Sequence, residues 1–467
     1  MEVIKLAIAK VILNGETLMD VTSNTVTSET LLSGQTAIGN NGEKITGGLV
    51  GGPYYGIYQS LANRQVLYDY GVGKYTTSEL LEWLSTFSKI SWNIFAGQMF
   101  NGSFTFSNAT IINEYAFGWP WGNGGTTGIN AMATFPQVSC VSTYAFYQNK
   151  TFYSIDLPIC TQIASSAFYG AGISNINCPS CTSIGNSAFY YAYIREANFS
   201  ACTSLGSGAF ALCYSLTTAN FPVCTQISYG AFSRCDKLET ISFPMCQQIN
   251  PYAFASCSAL TNVDFSACIT IGYSAFTSCK SLLTANFPAC ESLGEYVFGR
   301  CSALTSVNLP SCITIGTSAF YYCSVLTSVS LPSCTTIGRY AFAECYKLPQ
   351  IILPQCQSLP YGIFSGCSSL SLVVLSNCSS IDGYAFSSCY NLISLYLLGS
   401  SVIYVPGTSP FLSTPLFNYS TSAGRWGSIF VRASLYEAYM SAGTWGNNLS
   451  SRIVSLTDSE IAALSFI

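Results

Sequence analysis

The sequence predicts an α/β repeat solenoid of 22-residue units behind a small β-rich N-terminal module, and three observations predict it. From Cys202 to Cys389 a cysteine stands every 11 residues, eighteen in all, with alternate ones in two sequence contexts, so the unit is 22 residues with two cysteines. A phenylalanine column, Phe146, Phe168, Phe189, Phe210 and onward to Phe386, keeps the same step except in two early units that are one residue short. Within each unit a short apolar/polar alternation such as Val329-Ser330-Leu331 has the period of a strand with one face inward. A fixed period of this length marks a solenoid, in which each unit buries its apolar residues only by stacking on its neighbours.

One unit, Cys323 to Glu344, shows the elements in order: Cys323, Leu326, Val329, Leu331, Pro332, Cys334, Ile337, Gly338, Ala341 and Phe342 recur in register in the preceding unit from Cys301. Pro332 ends the strand. The Ile-Gly-x-x-Ala-Phe stretch is expected to turn, with its glycine as turn geometry, and to return as a short helical or 3₁₀ segment. Both cysteines occupy inward positions, where a reduced thiol acts as a small hydrophobe; stacked rungs also approach disulfide range, which leaves a few oxidised pairs open. Cys178-Pro-Ser-Cys181 has redox or zinc half-site spacing. However, Cys178 stands in the column of Phe199 and Phe221 and no second pair accompanies it, so it is read as core filler.

Outside the repeat the organisation changes. Residues 1–49 carry short strand patterns with Asn and Gly turns, 50–56 a Gly-rich linker, 57–134 an N-terminal cap and a divergent first repeat, 135–400 the solenoid and 401–467 a C-terminal cap module. In the first cap Thr76-Thr77-Ser78-Glu79 reads as a capping box before the stripe Leu80, Leu81, Leu84, Phe87. In the second, a helix is expected from Ser434 to Ala442, ended by Gly443.

Composition narrows function. Only 8% of the 467 residues are charged, the net charge is −4, and the 17 Lys and Arg residues form no run that would track a phosphate backbone, so no nucleic acid is expected. The mean hydropathy is positive, yet the apolar residues come in short bursts below the roughly 18 needed to span a bilayer, and no membrane insertion is expected. The first residues lack an apolar signal core, which predicts synthesis in a cytoplasm. There is no histidine, which removes Ser-His-Asp and Cys-His machinery and His-based zinc sites. Carboxylates such as Asp236, Glu239, Glu291 and Glu344 are scattered over different columns, unlike a glycosidase pair. No catalytic residue, metal or cofactor is expected, and the chain is read as a non-enzyme.

The pattern Leu-x-x-Val-x-Leu-Pro-x-Cys-x-x-Ile-Gly-x-x-Ala-Phe-x-x-Cys over residues 135–400 resembles the BspA-like leucine-rich repeats of bacterial surface proteins. That resemblance implies a right-handed coil with a concave parallel sheet, used for adhesion or recognition without catalysis. Asn14-Gly-Glu-Thr-Leu-Met-Asp-Val-Thr22, Leu32-Ser-Gly-Gln-Thr-Ala37 and Gly42-Glu-Lys-Ile-Thr-Gly47 resemble a short module of bacteriophage and prophage tail-associated proteins, which implies anchoring in a virion tail.

The candidate binding residues lie in two columns. The outward strand position reads Asn177, Asn198, Asn220, Ser242, Asp264, Asn286, Asn308 and Ser330, then Ile352, Val374 and Tyr396. It is either a self-bonded amide ladder or, with neighbours such as Asn262, a recognition face. The residue before Ala-Phe alternates Tyr252, Ser274, Tyr296, Ser318, Tyr340, Gly362 and Tyr384, either large-over-small packing or an interaction strip. The expected function is a phage tail fibre or receptor-binding component in the virion tail, held by tail proteins at residues 1–49 and facing a bacterial surface receptor, glycan or protein. A BspA-like cell-surface adhesin and a self-assembling filament or virion decoration are the alternatives, and a homo-oligomer is open.

Overall fold

The structure is a computed structural model. It describes residues 10–13, 16–20, 36–38, 44–46, 82–90, 95, 102–118, 131–406, 410–417, 426–443, 445 and 449–464. The Gly-rich linker, Leu80, Leu81 and the Trp119–Trp121 excursion lie outside the described residues. The chain divides into two compact units, Met1–Cys178 and Pro179–Ile467.

In the first unit two antiparallel pairs stand near the N-terminus, Lys10–Leu13 with Glu16–Asp20 and Thr36–Ile38 with Lys44–Thr46. Coils follow from residue 89, ahead of the regular period. Strands Gly102–Thr105, Ala131–Thr134, Phe152–Asp156 and Asn175–Asn177 form one parallel ladder. Two-residue strands from Lys89–Ile90 to Gln162–Ile163 form a second. Residues 82–85 are helical, and Trp83, Phe87 and Phe95 cluster edge to face before Phe95 stacks on Phe117 at 5.1 Å. This aromatic cluster closes the first coil.

The second unit repeats the two ladders at full regularity. A three-residue strand such as Ser306–Asn308 pairs in register with its counterparts one unit either side, and the two-residue strand Thr314–Ile315 does the same. Inward side chains stack with themselves: Phe320 lies 4.9 Å from Phe342 with rings 6° from parallel, and Phe199, Phe221, Phe243, Phe265 and Phe287 make a second column. Identical residues in register fill identical space, so one good rotamer solves the packing of every coil.

The returning segment is not helical: residues 131–406 contain no helix. Alternate amides divide the work. Ala319, Tyr321 and Cys323 donate to the carbonyls three residues back, while Ser318, Phe320 and Tyr322 donate to Arg339, Ala341 and Ala343 of the next coil at 2.7–2.9 Å. A helix would keep all of these bonds within the segment. The inter-coil bonds need a left-handed residue at every fourth place, and Ser318 and Tyr322 have φ of 55° and 60°.

The recurrent glycine also has a different cause from the one expected. Gly316 and Gly338 do not appear among the positive-φ residues. A Cβ on Gly316 would fall 2.5 Å from the backbone N of Glu295, and one on Gly338 2.4 Å from that of Thr317. Close approach of consecutive coils, not a turn, excludes a side chain there.

The long-strand ladder of this unit is three sheets, with breaks between Ser242 and Asn262 and between Ser330 and Gln350. At the second break a backbone donor is missing. Thr305 and Thr327 donate their amides to Leu283 and Thr305 of the coil before, but the next residue in that column is Pro349, which has no N–H to give. Val329, on the open side, is half-buried, whereas Val307 one coil earlier is buried.

At the C-terminal end strands Ser428–Arg432 and Ile453–Leu456 extend the last sheet in parallel. Phe411 continues the phenylalanine column, 5.7 Å from Phe386, and Trp445 covers Phe411 at 5.8 Å. Trp445 Nε1 donates to Ile403 O at 2.7 Å, and Ile403 N donates to Tyr439 Oη at 3.1 Å. The expected helix begins as a 3₁₀ turn, Ala433–Leu435, continues as Tyr436–Ser441, and leaves helical geometry at Ala442.

Candidate functional site

The outward strand column is brought into register by the parallel ladders, Asn198 beside Asn220 and Ser242, and Asp264 beside Asn286, Asn308 and Ser330. Strand spacing then dictates what amides at one position do: each reaches the next. Asn220 Nδ2 donates to Asn198 Oδ1 at 2.9 Å, Asn286 Nδ2 to Asp264 Oδ1 at 2.9 Å, and Asn308 Nδ2 to Asn286 Oδ1 at 2.8 Å. In the first unit Asn177 Nδ2 donates to Asp156 Oδ1 at 2.7 Å. Asn262, two residues before Asp264, accepts from Thr284 Oγ1 at 2.7 Å. An amide carries two N–H donors and two acceptor lone pairs, so a rung that gives one N–H to its neighbour keeps capacity that faces solvent.

The apolar continuation of that column is partly closed. Val374 lies between Ile352 and Tyr396 in register and is buried, so it offers nothing to a ligand despite its outward position. Tyr396 stacks on Phe430 at 4.4 Å. A cleft of about 280 Å³ opens at the Pro349 break, lined by Thr327, Ser328, Val329, Ser330, Gln350 and Ile352 among others, none of them charged.

Along the turn edge, the residue before Ala-Phe has positive φ throughout: Tyr252 58°, Ser274 52°, Tyr296 54°, Ser318 55°, Tyr340 55°, Gly362 65° and Tyr384 57°. The ring of Tyr340 lies over Gly362, where a Cβ would meet Tyr340 Cε1 at 2.4 Å, and Ser274 and Ser318 are buried. Large and small residues alternate here because coils stack.

A second set of tyrosines escapes notice when that column is read by itself. Tyr229, Tyr273 and Tyr361 stand one residue earlier, in coils whose next residue is Gly230, Ser274 or Gly362. Read together, the two columns place a tyrosine in every coil from 229 to 384 except at Thr317-Ser318. Tyr229, Tyr252, Tyr273 and Tyr296 form one chain of edge-to-face rings 5.2–6.1 Å apart, and Tyr340, Tyr361 and Tyr384 form another at 5.3–5.5 Å, edge to face at its first contact and tilted at its second. A hydrogen bond to Tyr273 holds the Tyr252 phenol above its ordinary value.

The cysteines are all thiols. In one column each thiol joins two coils: Cys323 Sγ donates to Phe298 O at 3.1 Å, Cys345 to Phe320 O at 3.2 Å and Cys367 to Phe342 O at 3.1 Å. In the other the bond is local, as from Cys312 Sγ to Thr314 O at 3.3 Å. Burial pushes these thiols up, Cys246 and Cys334 to about 12 and Cys312 to about 11, far from the thiolate state that nucleophilic or metal chemistry uses. Cys160 runs the other way, lowered by a hydrogen bond with Cys178. Cys181 Sγ donates to Ser183 O at 3.4 Å. Among the described residues no group of three or more His, Cys, Asp or Glu side chains converges on a metal position, and no helix is long and apolar enough to cross a membrane.

The model of the BspA type leucine rich repeat region matches in overlapping copies that together run from residue 126 to 411, more than half of the chain. The chain belongs to the BspA-type leucine-rich-repeat family. Its 22-residue period, parallel ladders and stacked phenylalanines are those of a leucine-rich-repeat solenoid, a fold that serves as a binding scaffold. Among solved structures it is similar to a leucine-rich repeat protein from Bacteroides ovatus, at 24% identity over 64% of this chain and 87% of that one, TM-score 0.47. It is also similar to a leucine rich cell surface protein from Faecalibacterium prausnitzii, at 17% identity over 76% and 91%, TM-score 0.35. The pneumococcal vaccine antigen PcpA matches at 17% identity over 77% and 94%, TM-score 0.36. No curated protein matches this chain.

Proposed function

We propose that this leucine-rich-repeat protein is a non-catalytic recognition component that presents its strand face to a receptor on a bacterial surface. The observation that supports it best is the amide ladder: Asn198–Asn220 and Asp264–Asn286–Asn308 are pre-oriented by mutual hydrogen bonds, so a ligand would meet an ordered row of donors and acceptors at low entropic cost. Asn262 borders that row, and Tyr396 stands in the same column four coils beyond Asn308, in the next sheet. The order of motifs in residues 1–49 supports attachment to a phage tail, with the solenoid pointing to the host and weak contacts strengthened by many displayed copies. The family match favours a second reading, a BspA-type adhesin on a cell surface.

Cryo-electron microscopy of the native source particle separates the two. Residues 1–49 embedded in a tail with the coils outward would support the first; the chain on an envelope would replace it with the second. Either way, binding to the target cell should drop about tenfold in an Asn286→Ala/Asn308→Ala variant, by flow cytometry with labelled protein. Unchanged binding would remove the strand face from the proposal.

A further inference from the structure

The turn edge of the coils carries a separate inference. Two different backbone positions alternate to deliver a phenol ring in each of four consecutive coils, Tyr229 to Tyr296, and in each of three more, Tyr340 to Tyr384, with the coil at Thr317-Ser318 between them. Core packing accounts for half of this, because a ring at the positive-φ position covers the small residue of the next coil, as Tyr340 covers Gly362. Tyr229, Tyr273 and Tyr361 stand at the other position, 54%, 40% and 37% exposed against 38%, 38% and 37% for Tyr296, Tyr340 and Tyr384, so rings from both positions face solvent. The covering tyrosines carry a cost as well: a left-handed backbone disfavours a bulky L-residue, and alternate coils show that Gly or Ser serves there.

We propose that this row binds a linear, neutral polysaccharide, with sugar C–H groups packing on the exposed parts of the rings and the phenol hydroxyls bonding to sugar hydroxyls. The repeat of the row favours a ligand that itself repeats. Rings 5.2–6.1 Å apart, one per coil from Tyr229 to Tyr296, approximate the advance of one pyranose in an extended chain; a second copy of this solenoid, which has the same period, is the competing occupant. Most of its tyrosines are exposed, as contact with an extended polymer requires. Its rings are uncharged, and the charges within two residues of them along the chain include Glu295, Arg339 and Asp382, with no cationic cluster, so nothing selects an anionic polymer. This surface is distinct from the strand face, and it stands or falls independently of the tail and adhesin readings.

Affinity electrophoresis of the full chain through gels containing hydroxyethylcellulose, dextran or mannan, with polygalacturonate as the anionic comparator, tests the proposal. At least one neutral polymer should retard the chain. The triple variant Tyr229→Ala/Tyr273→Ala/Tyr361→Ala should raise the apparent Kd about tenfold or more, and the matching triple Phe variant should stay within about threefold. The strand-face variant Asn286→Ala/Asn308→Ala should migrate as wild type. Should the triple Ala variant lose its cooperative melting transition, Tyr229→Ala alone, at the most exposed of the three, serves in its place. The proposal is overturned if no neutral polymer retards the chain, if only the anionic one does, or if the Ala variants are retarded like wild type. Light scattering that shows wild type self-associating and the variant monomeric would also overturn it, by making the row a contact between copies.

Discussion

Two residue types show how stacking turns chemistry into register. A cysteine in the inter-coil column is a small hydrophobe that also carries a donor, and Phe298 O accepts both the Cys301 amide at 3.0 Å and the Cys323 thiol at 3.1 Å. Replacing Cys323 by alanine removes that second bond and a sulfur's volume but leaves the carbonyl satisfied, so it should cost about 1 kcal/mol, read as a shift in urea midpoint at unchanged slope. Gly316 is the more sensitive position. An added methyl meets backbone, not a movable side chain, at 2.5 Å, and Gly316→Ala should cost about 2–3 kcal/mol by the same measurement. A loss below about 0.5 kcal/mol would show that the coils can separate there.

At the scale of elements, the distinctive feature is a return path made of turns that bond alternately within and between coils. It needs left-handed residues, and the chain supplies Tyr, Ser, Arg and Glu at those places as well as Gly. The break at Pro349 belongs to this scale too. Pro349→Thr restores the column's donor, worth about 1 kcal/mol, but frees the unfolded backbone by about 0.4–1 kcal/mol. The two nearly cancel, so the melting temperature should hardly move. Amide exchange of residues 327–330 and 349–353 should slow instead, and unchanged exchange would mean that something other than the missing N–H holds the sheets apart.

For the whole molecule, stability is a sum of coils and their interfaces, which makes the ends and the shared chemistry decisive. Trp445 is buried against the end of the phenylalanine column. Trp445→Ala should cost about 3–5 kcal/mol locally and raise exchange in residues 394–456 while the central coils keep their protection; uniform exchange would argue against independent ends. The thiols act together. Because burial raises their folded values from 9.0 to about 11 or 12 in Cys246, Cys312 and Cys334, the folded chain binds protons that the unfolded chain releases. Stability is therefore complete below about pH 9 and falls as pH rises through about 12. Urea midpoints under reducing conditions should be flat from pH 6 to 8 and drop at pH 10. A midpoint that holds at pH 10 would mean the thiols are not closed off from solvent.

Much of this was legible in one dimension because the period is a physical constraint. A residue that recurs every 22 positions meets copies of itself, so the inward columns, including both cysteine columns, the strand and its ending proline, and the alternation of tyrosine with small residues could all be read from spacing. What the tertiary structure decided is what depends on the neighbouring coil. The return path became turns because its amides find carbonyls across the stack, the recurrent glycine proved to be a point of close approach, and Val374 was closed over between larger side chains. The tyrosine row emerged only when two adjacent columns were seen to converge on one line. A single strand of sequence lists the side chains of each coil, but the distance between coils determines which of them meet.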